Sequence, residues 1–324
     1  MYENTIHTEN LGKQYGDLWA LRGLDLDVAP GTVLGLLGHN GAGKTTAIRL
    51  LTTLTKPTEG SATVAGHDIT TAAGKVRASI GVAAQAATVD GLLTGRANLE
   101  MIGLLYHLPR SVARQRADEL LTRFGIADAG DRLAKGYSGG MRRRLDLAAS
   151  IIADPPVIFL DEPTTGLDPA ARRELWDIVQ TLVADGTTVL LTTQYLDEAD
   201  TLADDIVVLD HGRAIAHGSP AELKSRIGGD RIDVVVESAA ELVPAEEALR
   251  AFADGAAGHD AEARRLTVPL RKGVRLIEIV RALDAADVDA VDVQRREPTL
   301  DDVFLTLVGH PSIVDDTSLQ EVTA

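Results

Sequence analysis

The run Val33-Leu34-Gly35-Leu36-Leu37-Gly38-His39-Asn40-Gly41-Ala42-Gly43-Lys44-Thr45 constrains this chain more than any other stretch. Its first residues are uniformly apolar or small, as in a strand buried on both faces. The spacing G-x-x-x-x-G-K-T then requires a curled loop, and Thr46 to Leu51 continues in helical period. Strand, glycine loop and helix in that order aim successive backbone N–H groups and a helix N-terminus at one point, which is how a chain holds phosphate. Lys44 is placed to reach the β and γ phosphates of a nucleotide, and the Thr45 hydroxyl to ligate Mg²⁺. The expected nucleotide loop is therefore Gly38, His39, Asn40, Gly41, Ala42, Gly43, Lys44, Thr45 and Thr46. The His39 imidazole is given no role of its own.

A second motif supplies acid. In Pro156-Val157-Ile158-Phe159-Leu160-Asp161-Glu162-Pro163, four apolar residues of a buried parallel strand end in two carboxylates. Asp161 suits the outer sphere of a Mg²⁺ ion, and Glu162 suits the orientation and polarisation of an attacking water.

Apolar strand-like runs (Thr32 to Leu37, Val157 to Leu160, Thr188 to Leu191, Ile206 to Leu209) alternate with helical stretches up to about residue 223. That alternation predicts α/β layers around a mainly parallel sheet. The double glycine in Ser225-Arg226-Ile227-Gly228-Gly229-Asp230 reads as a break. We expect one domain over 1–224, a linker over 225–230, a small α+β domain over 231–310 and a polar tail over 311–324. In the smaller domain strands are expected at Ile232 to Val236, Arg265 to Leu270 and Val288 to Gln294, with helices at Leu242 to Phe252 and Val274 to Ala285. A last helix is expected from Leu300 to Val308, started by Thr299 and Asp302 as a capping box, with Leu300, Val303, Phe304, Leu307 and Val308 on its apolar face.

Between the loop and the acidic strand lies Tyr137-Ser138-Gly139-Gly140-Met141-Arg142-Arg143-Arg144-Leu145. It resembles the LSGGQ signature of ATP-binding cassette (ABC) ATPases, with Tyr137 for Leu and Met141 for Gln. The resemblance implies an ABC-type P-loop cassette with a helical signature subdomain. It also implies a homodimer in which Tyr137 to Met141 of one copy cap the γ phosphate held by the other. By the same resemblance Tyr15 is the aromatic that stacks on adenine, Gln85 a glutamine touching the metal or water, and Asp168 in Gly166-Leu167-Asp168 part of a loop crossing the dimer interface. Thr192-Thr193-Gln194-Tyr195-Leu196-Asp197-Glu198-Ala199 carries Gln194 where cassettes usually have a switch histidine. That string, with YSGGMRRRLDLAASI and the near-terminal EPTLDDVFLTLVGH, is similar to the daunorubicin/doxorubicin-resistance ATP-binding subunits, in which Gln at this position is usual. Turnover is therefore expected to persist, with Glu162, Gln194 and Lys44 as the catalytic set and Thr45, Gln85 and Asp161 around the metal.

Composition narrows the alternatives. No cysteine is present, so disulfides, thiolate metal sites and cysteine nucleophiles are excluded. The excess of 48 acidic over 32 basic residues, a net charge of −16, opposes binding to nucleic acid or anionic lipid. No run approaches the roughly 18 apolar residues of a membrane span, and the N-terminus lacks the pattern of a secretory signal. The expectation is an ATP- and Mg²⁺-dependent ATPase at the cytoplasmic face of the membrane. It would power efflux of an amphiphilic, anthracycline-like drug through a separate membrane-spanning permease, docked near Gln85 and Asn98 to Leu108. A cassette ATPase of DNA repair or ribosomes is the alternative, disfavoured by the acidic charge and the single cassette. An exporter or importer of another substrate, such as a lipid, is the other.

Overall fold

The computed structural model describes residues 5–83, 89–226 and 229–308, the last four of these by backbone alone. It divides into two compact units, Met1–Pro220 and Ala221–Ala324.

Among the described residues the first unit contains ten strands. These are β1 (Ile6–Tyr15), β2 (Leu18–Val28), β3 (Val33–Leu37), β4 (Glu59–Val64), β5 (His67–Asp68), β6 (Ile80–Ala83), β7 (Val157–Asp161), β8 (Thr188–Thr193), β9 (Asp205–Asp210) and β10 (Arg213–Gly218). Its helices are α1 (Lys44–Leu51), α2 (Ala73–Ala78), α3 (Gly95–Leu105), α4 (Arg110–Arg123), α5 (Gly139–Ser150), α6 (Pro169–Ala184) and α7 (Leu196–Leu202). The central sheet has the order β10-β9-β3-β8-β7-β6. Every pairing in it is parallel except that of β10, which returns along β9 through a tight hairpin. β3 and β7 are buried at every position, as the apolar runs that fill β3 and precede Asp161 in β7 require of strands covered on both faces.

An antiparallel sheet, β2-β1-β4-β5, accompanies the parallel one and was not read from the sequence. It shares a core with α1, in which Ile6, Leu24, Leu36, Leu50 and Phe159 are fully buried. A second core joins α3, α4 and α5 to the other face of the sheet through Leu99, Leu121, Phe124, Leu145 and Leu160. Because β3, β8 and β7 run parallel, their C-terminal ends lie at one edge of the sheet, and the residues just past them gather there.

The second unit has its own core. Helix α8 (Pro220–Arg226) begins where the two units divide, with proline at its first position, where a missing N–H costs nothing. Ser225 and Arg226 close that helix, while residues 227–228 of the expected linker lie outside the described residues. Four antiparallel strands follow in the order β12-β13-β11-β14: β11 (Arg231–Val236), β12 (Gly258–Asp260), β13 (Arg265–Pro269) and β14 (Ala290–Arg296). Alternate residues Ile232, Val234 and Val236 are buried and pack with α9 (Leu242–Leu249) and α10 (Leu276–Ala285). The short strand β12 has no apolar alternation and was not expected.

Helix α11 (Leu300–Val308) starts as its sequence dictates. Thr299 N–H and O–H donate to Asp302 Oδ2 at 3.0 and 2.9 Å, and Asp302 N–H donates to Thr299 Oγ1 at 3.3 Å. Leu300 and Val303 are buried, whereas the side chains of Leu307 and Val308 lie outside the described residues.

Candidate nucleotide site

The phosphate loop leaves the end of β3 and enters α1 at Lys44. Two glycines in it are sterically obligatory. A Cβ at Gly38 would lie 2.5 Å from the Leu209 carbonyl oxygen, and one at Gly43, whose φ is 112°, would lie 2.8 Å from the Ala20 oxygen. The loop thus closes against β9 and β2. Lys44 is buried beneath it and donates from Nζ to the carbonyls of Gly38 (2.6 Å) and His39 (3.2 Å). Burial lowers the Lys44 ammonium below the usual lysine range, against the pull of Glu162, whose Oε1 is 3.5 Å from Nζ. Ala42 is also fully buried, so it serves the loop through its backbone.

The acidic pair is set by the sheet. Asp161 ends β7 and sits directly across from Thr192 of β8. Thr192 Oγ1 donates to Asp161 Oδ1 at 2.6 Å, and Thr45 Oγ1 approaches the same oxygen at 3.5 Å. Glu162 then breaks from the strand with φ 47°, a left-handed backbone that a non-glycine residue adopts at a cost of about 1–2 kcal/mol. Its N–H, shared between the carbonyl and hydroxyl oxygens of Thr192 at 3.1 Å, holds the turn. The carboxylate enters a cleft of about 260 Å³ that Ala20, His39, Asn40, Lys44, Thr45 and Glu162 help to line. Gly41, Gly43 and Thr46 line it too. A Mg²⁺ ion fits this donor set, because the Thr45 hydroxyl at the cleft and the Asp161 carboxylate 3.5 Å behind it are both hard oxygens.

The expected signature residues divide by side chain. Ser138 caps α5, its Oγ accepting from Met141 N–H at 3.2 Å. Ser138 and Gly139 are exposed, and a Cβ on Gly139 would meet nothing within 4 Å, so the start of α5 presents open backbone to solvent. Gly140 is half-buried against Ala171. Tyr137 instead points into the helical core. It is 6% exposed, donates its hydroxyl to Ala129 O at 2.7 Å, and burial raises its phenol above the usual range. Met141 packs against the same core.

The remaining candidates scatter. Gln194 is exposed immediately after β8, at the same sheet edge as Glu162. Asp168 caps α6 by accepting from the N–H groups of Ala170 and Ala171, both at 2.9 Å, which hold its carboxyl below the usual aspartate range. Tyr15 ends β1, exposed, with Lys13 Nζ 5.1 Å above its ring, and does not line the cleft. Gln85 lies outside the described residues.

Arg143 escaped the sequence reading, which took it only as a letter of the signature. Its guanidinium reaches from α5 to the acidic turn, with Nε donating to Pro163 O at 2.7 Å and Nη2 to Asp161 O at 3.2 Å. Nη1 pairs with the buried Asp146 at 3.5 Å. A pocket of about 360 Å³, bordered by Gly139, Arg143, Asp146, Glu162 and Thr165, lies along this bridge.

A phosphate cleft at the edge of a parallel sheet, tied by a half-buried arginine to a serine-capped helix, defines a nucleotide-binding cassette of the ABC class. Comparison with known proteins agrees. A family model described as ABC transporter matches residues 21–165, and one described as ATP-binding protein DrrA1-3-like, C-terminal domain, matches residues 218–308. Daunorubicin resistance ATP-binding protein DrrA2 of Streptomyces coeruleorubidus is 54% identical over 306 residues, 94% of this chain and 95% of that protein. Daunorubicin/doxorubicin resistance ATP-binding protein DrrA of Streptomyces peucetius is 48% identical, over 98% of this chain and 95% of its own length. Among solved structures, cbiO1 of Clostridium perfringens, part of the ABC transporter complex cbiONQ, superposes with a TM-score of 0.64 at 28% identity, covering 70% of this chain and 94% of cbiO1. The chain belongs to the daunorubicin/doxorubicin resistance ATP-binding proteins of the ABC transporter family.

Proposed function

We propose that this protein hydrolyses ATP to power export of an amphiphilic, anthracycline-like drug through a separate membrane-spanning subunit. The carrying observation is the convergence of Lys44 Nζ and Glu162 Oε1, 3.5 Å apart, on the cleft bordered by Thr45. The relatives named above, daunorubicin and doxorubicin resistance proteins that align over nearly the whole chain, support the substrate class.

In this reading Lys44 exchanges its loop carbonyls for phosphate oxygens, and the N–H groups of residues 39–46 enclose the rest. Tyr15 stacks on the adenine. Thr45, Asp161 and Gln85 would hold Mg²⁺, which would neutralise charge developing on the phosphates. Glu162 accepts a hydrogen bond from the attacking water and aims it in line, while Gln194 donates an amide N–H to the γ phosphate or orients the same water. Catalysis is positioning plus charge stabilisation. The exposed Ser138-Gly139 cap of α5 completes the site of a second copy, so two chains enclose two nucleotides, with the loop through Asp168 at their interface.

Among the described residues no helix is long and apolar enough to cross a membrane. We place the chain on the cytoplasmic face, docked to its permease near α3. That helix carries the exposed apolar side chains Met101, Leu104 and Leu105, the last 70% exposed, and Leu92 lies just before it. Glu162→Gln tests the proposal: with ATP and Mg²⁺ the variant elutes as a dimer and turns over at least 10²-fold more slowly than the parent. A monomer under these conditions, or parental turnover, contradicts it.

A further inference from the structure

Two histidines and an aspartate, His39, Asp210 and His211, cluster at the rim of the phosphate loop, and the reading above gives their side chains no role. β3 and β9 run parallel, with Leu37 paired to Val208. Two residues beyond each, the same register sets His39 beside Asp210, 171 positions away in sequence. His211 and Gly212 then form the two-residue hairpin to β10, both with positive φ (45° and 77°). That turn is anchored from two sides, since Gly212 N–H donates to Ala42 O at 3.0 Å and Arg22 N–H donates to Gly212 O at 2.7 Å. The phosphate loop and the turn therefore hold His39, Asp210 and His211 on fixed backbone.

The chemistry of His39 points to a cation. Its Nδ1 lies 2.6 Å from Asn40 O, a carbonyl that can only accept, so Nδ1 carries the proton. Nε2 faces Asp210 Oδ1 at 2.8 Å, another acceptor. With the proton on Nδ1, the Nε2 lone pair and the carboxylate oxygen face each other, and a metal ion shared between them would satisfy both. A backbone acceptor on the opposite nitrogen is the usual way to fix a histidine for metal binding. His211 Nε2 is 3.9 Å from the same Asp210 oxygen, and the three donor atoms lie within 4.8 Å of one another. The site opens to solvent through His211, whose side chain is 87% exposed, so water can complete the coordination.

We propose that His39, Asp210 and His211 form a binding site for a late first-row divalent cation such as Zn²⁺, distinct from the oxygen site of Mg²⁺ at Thr45 and Asp161. Two imidazoles and one carboxylate with an open position suit Zn²⁺ or Co²⁺ and disfavour Mg²⁺, which prefers oxygen ligands. Such an ion would tie the phosphate loop to the β9–β10 turn. The test is calorimetric titration of Zn²⁺ into the nucleotide-free full chain with millimolar Mg²⁺ present, alongside the visible absorption of added Co²⁺. One equivalent of Zn²⁺ should bind, and Co²⁺ should give the strong absorption of low coordination number. His211→Asn, chosen because asparagine tolerates the left-handed backbone, should weaken binding by about ten-fold or more. His259→Ala, in the other unit, should leave it unchanged. Absence of saturable binding, equal affinity in His211→Asn, or displacement by Mg²⁺ would overturn the assignment. None of these readouts requires ATP turnover, so they stand or fall separately from the proposed transport function.

Discussion

Arg143 donates from Nε to the carbonyl oxygen of Pro163 at 2.7 Å, and with Nη2 on the Asp161 carbonyl at 3.2 Å it brackets Glu162 on both sides along the backbone. Helix α5, whose first turn carries the exposed Ser138 cap, is thereby joined to the turn that aims the carboxylate. A movement of α5 would be felt at Glu162 through this one guanidinium.

Arg143→Ala should therefore lower turnover while leaving the ATP concentration for half-maximal rate nearly unchanged, because Lys44 and the phosphate loop are untouched. Removing the guanidinium takes away the hydrogen bonds to both carbonyls and one charged partner of the buried Asp146, at a cost of roughly 2–4 kcal/mol in stability. Urea denaturation measures the second effect and steady-state kinetics the first. Arg143→Lys should regain part of the stability but less of the rate, since an ammonium cannot span two carbonyls as a planar fork does. Equal kinetics for Arg143→Ala and the parent would remove the coupling.

Lys44→Ala should weaken ATP binding by about 10- to 100-fold, the loss of charge-assisted hydrogen bonds to phosphate. Binding of a fluorescent ATP analogue measures it. The buried Lys44 already has protein carbonyl partners, so the loss comes from the bound state; undiminished affinity would place the phosphates elsewhere.

Gln194→Ala should cut hydrolysis by roughly ten- to a hundred-fold with nucleotide binding retained. The amide does not titrate, so Gln194→His should introduce a limb into the pH–rate profile near the histidine range that the parent lacks. Unchanged turnover in Gln194→Ala would take the residue out of the mechanism.

Asp302 couples stability to acid pH. Burial opposes its charge, yet the N–H and hydroxyl of Thr299 outweigh that and hold its carboxyl below the ordinary 3.8. A carboxyl depressed in the folded state adds stability that is fully present above its unfolded value and is lost as the pH falls through the folded one. Asp302→Ala should cost about 1 kcal/mol at neutral pH, the usual worth of a helix cap. In urea denaturation the gap between parent and variant should hold from pH 7 to pH 5 and shrink below about pH 4. A gap that widened in acid would contradict the capping geometry.

What the sequence determined by itself was local in origin. The strand–loop–helix around Lys44, the buried strand ending at Asp161, the Ser138 cap and the Thr299–Asp302 box each depend on residues within a few positions of one another, where backbone geometry and spacing leave little choice. Most elements of the second unit were legible for the same reason, apart from helix α8, whose last residues read as linker, and the short exposed strand Gly258–Asp260. Tertiary structure decided what required register between distant segments. Tyr137 occupies a signature position, yet it packs inward because Gly95 leaves room for its ring; a Cβ there would lie 2.2 Å from the phenol oxygen. Arg143 found its carbonyls only because α5 packs across the end of β7. His39 met Asp210 only because β3 and β9 lie side by side in the sheet, a pairing fixed by hydrogen bonds between strands that no local pattern encodes.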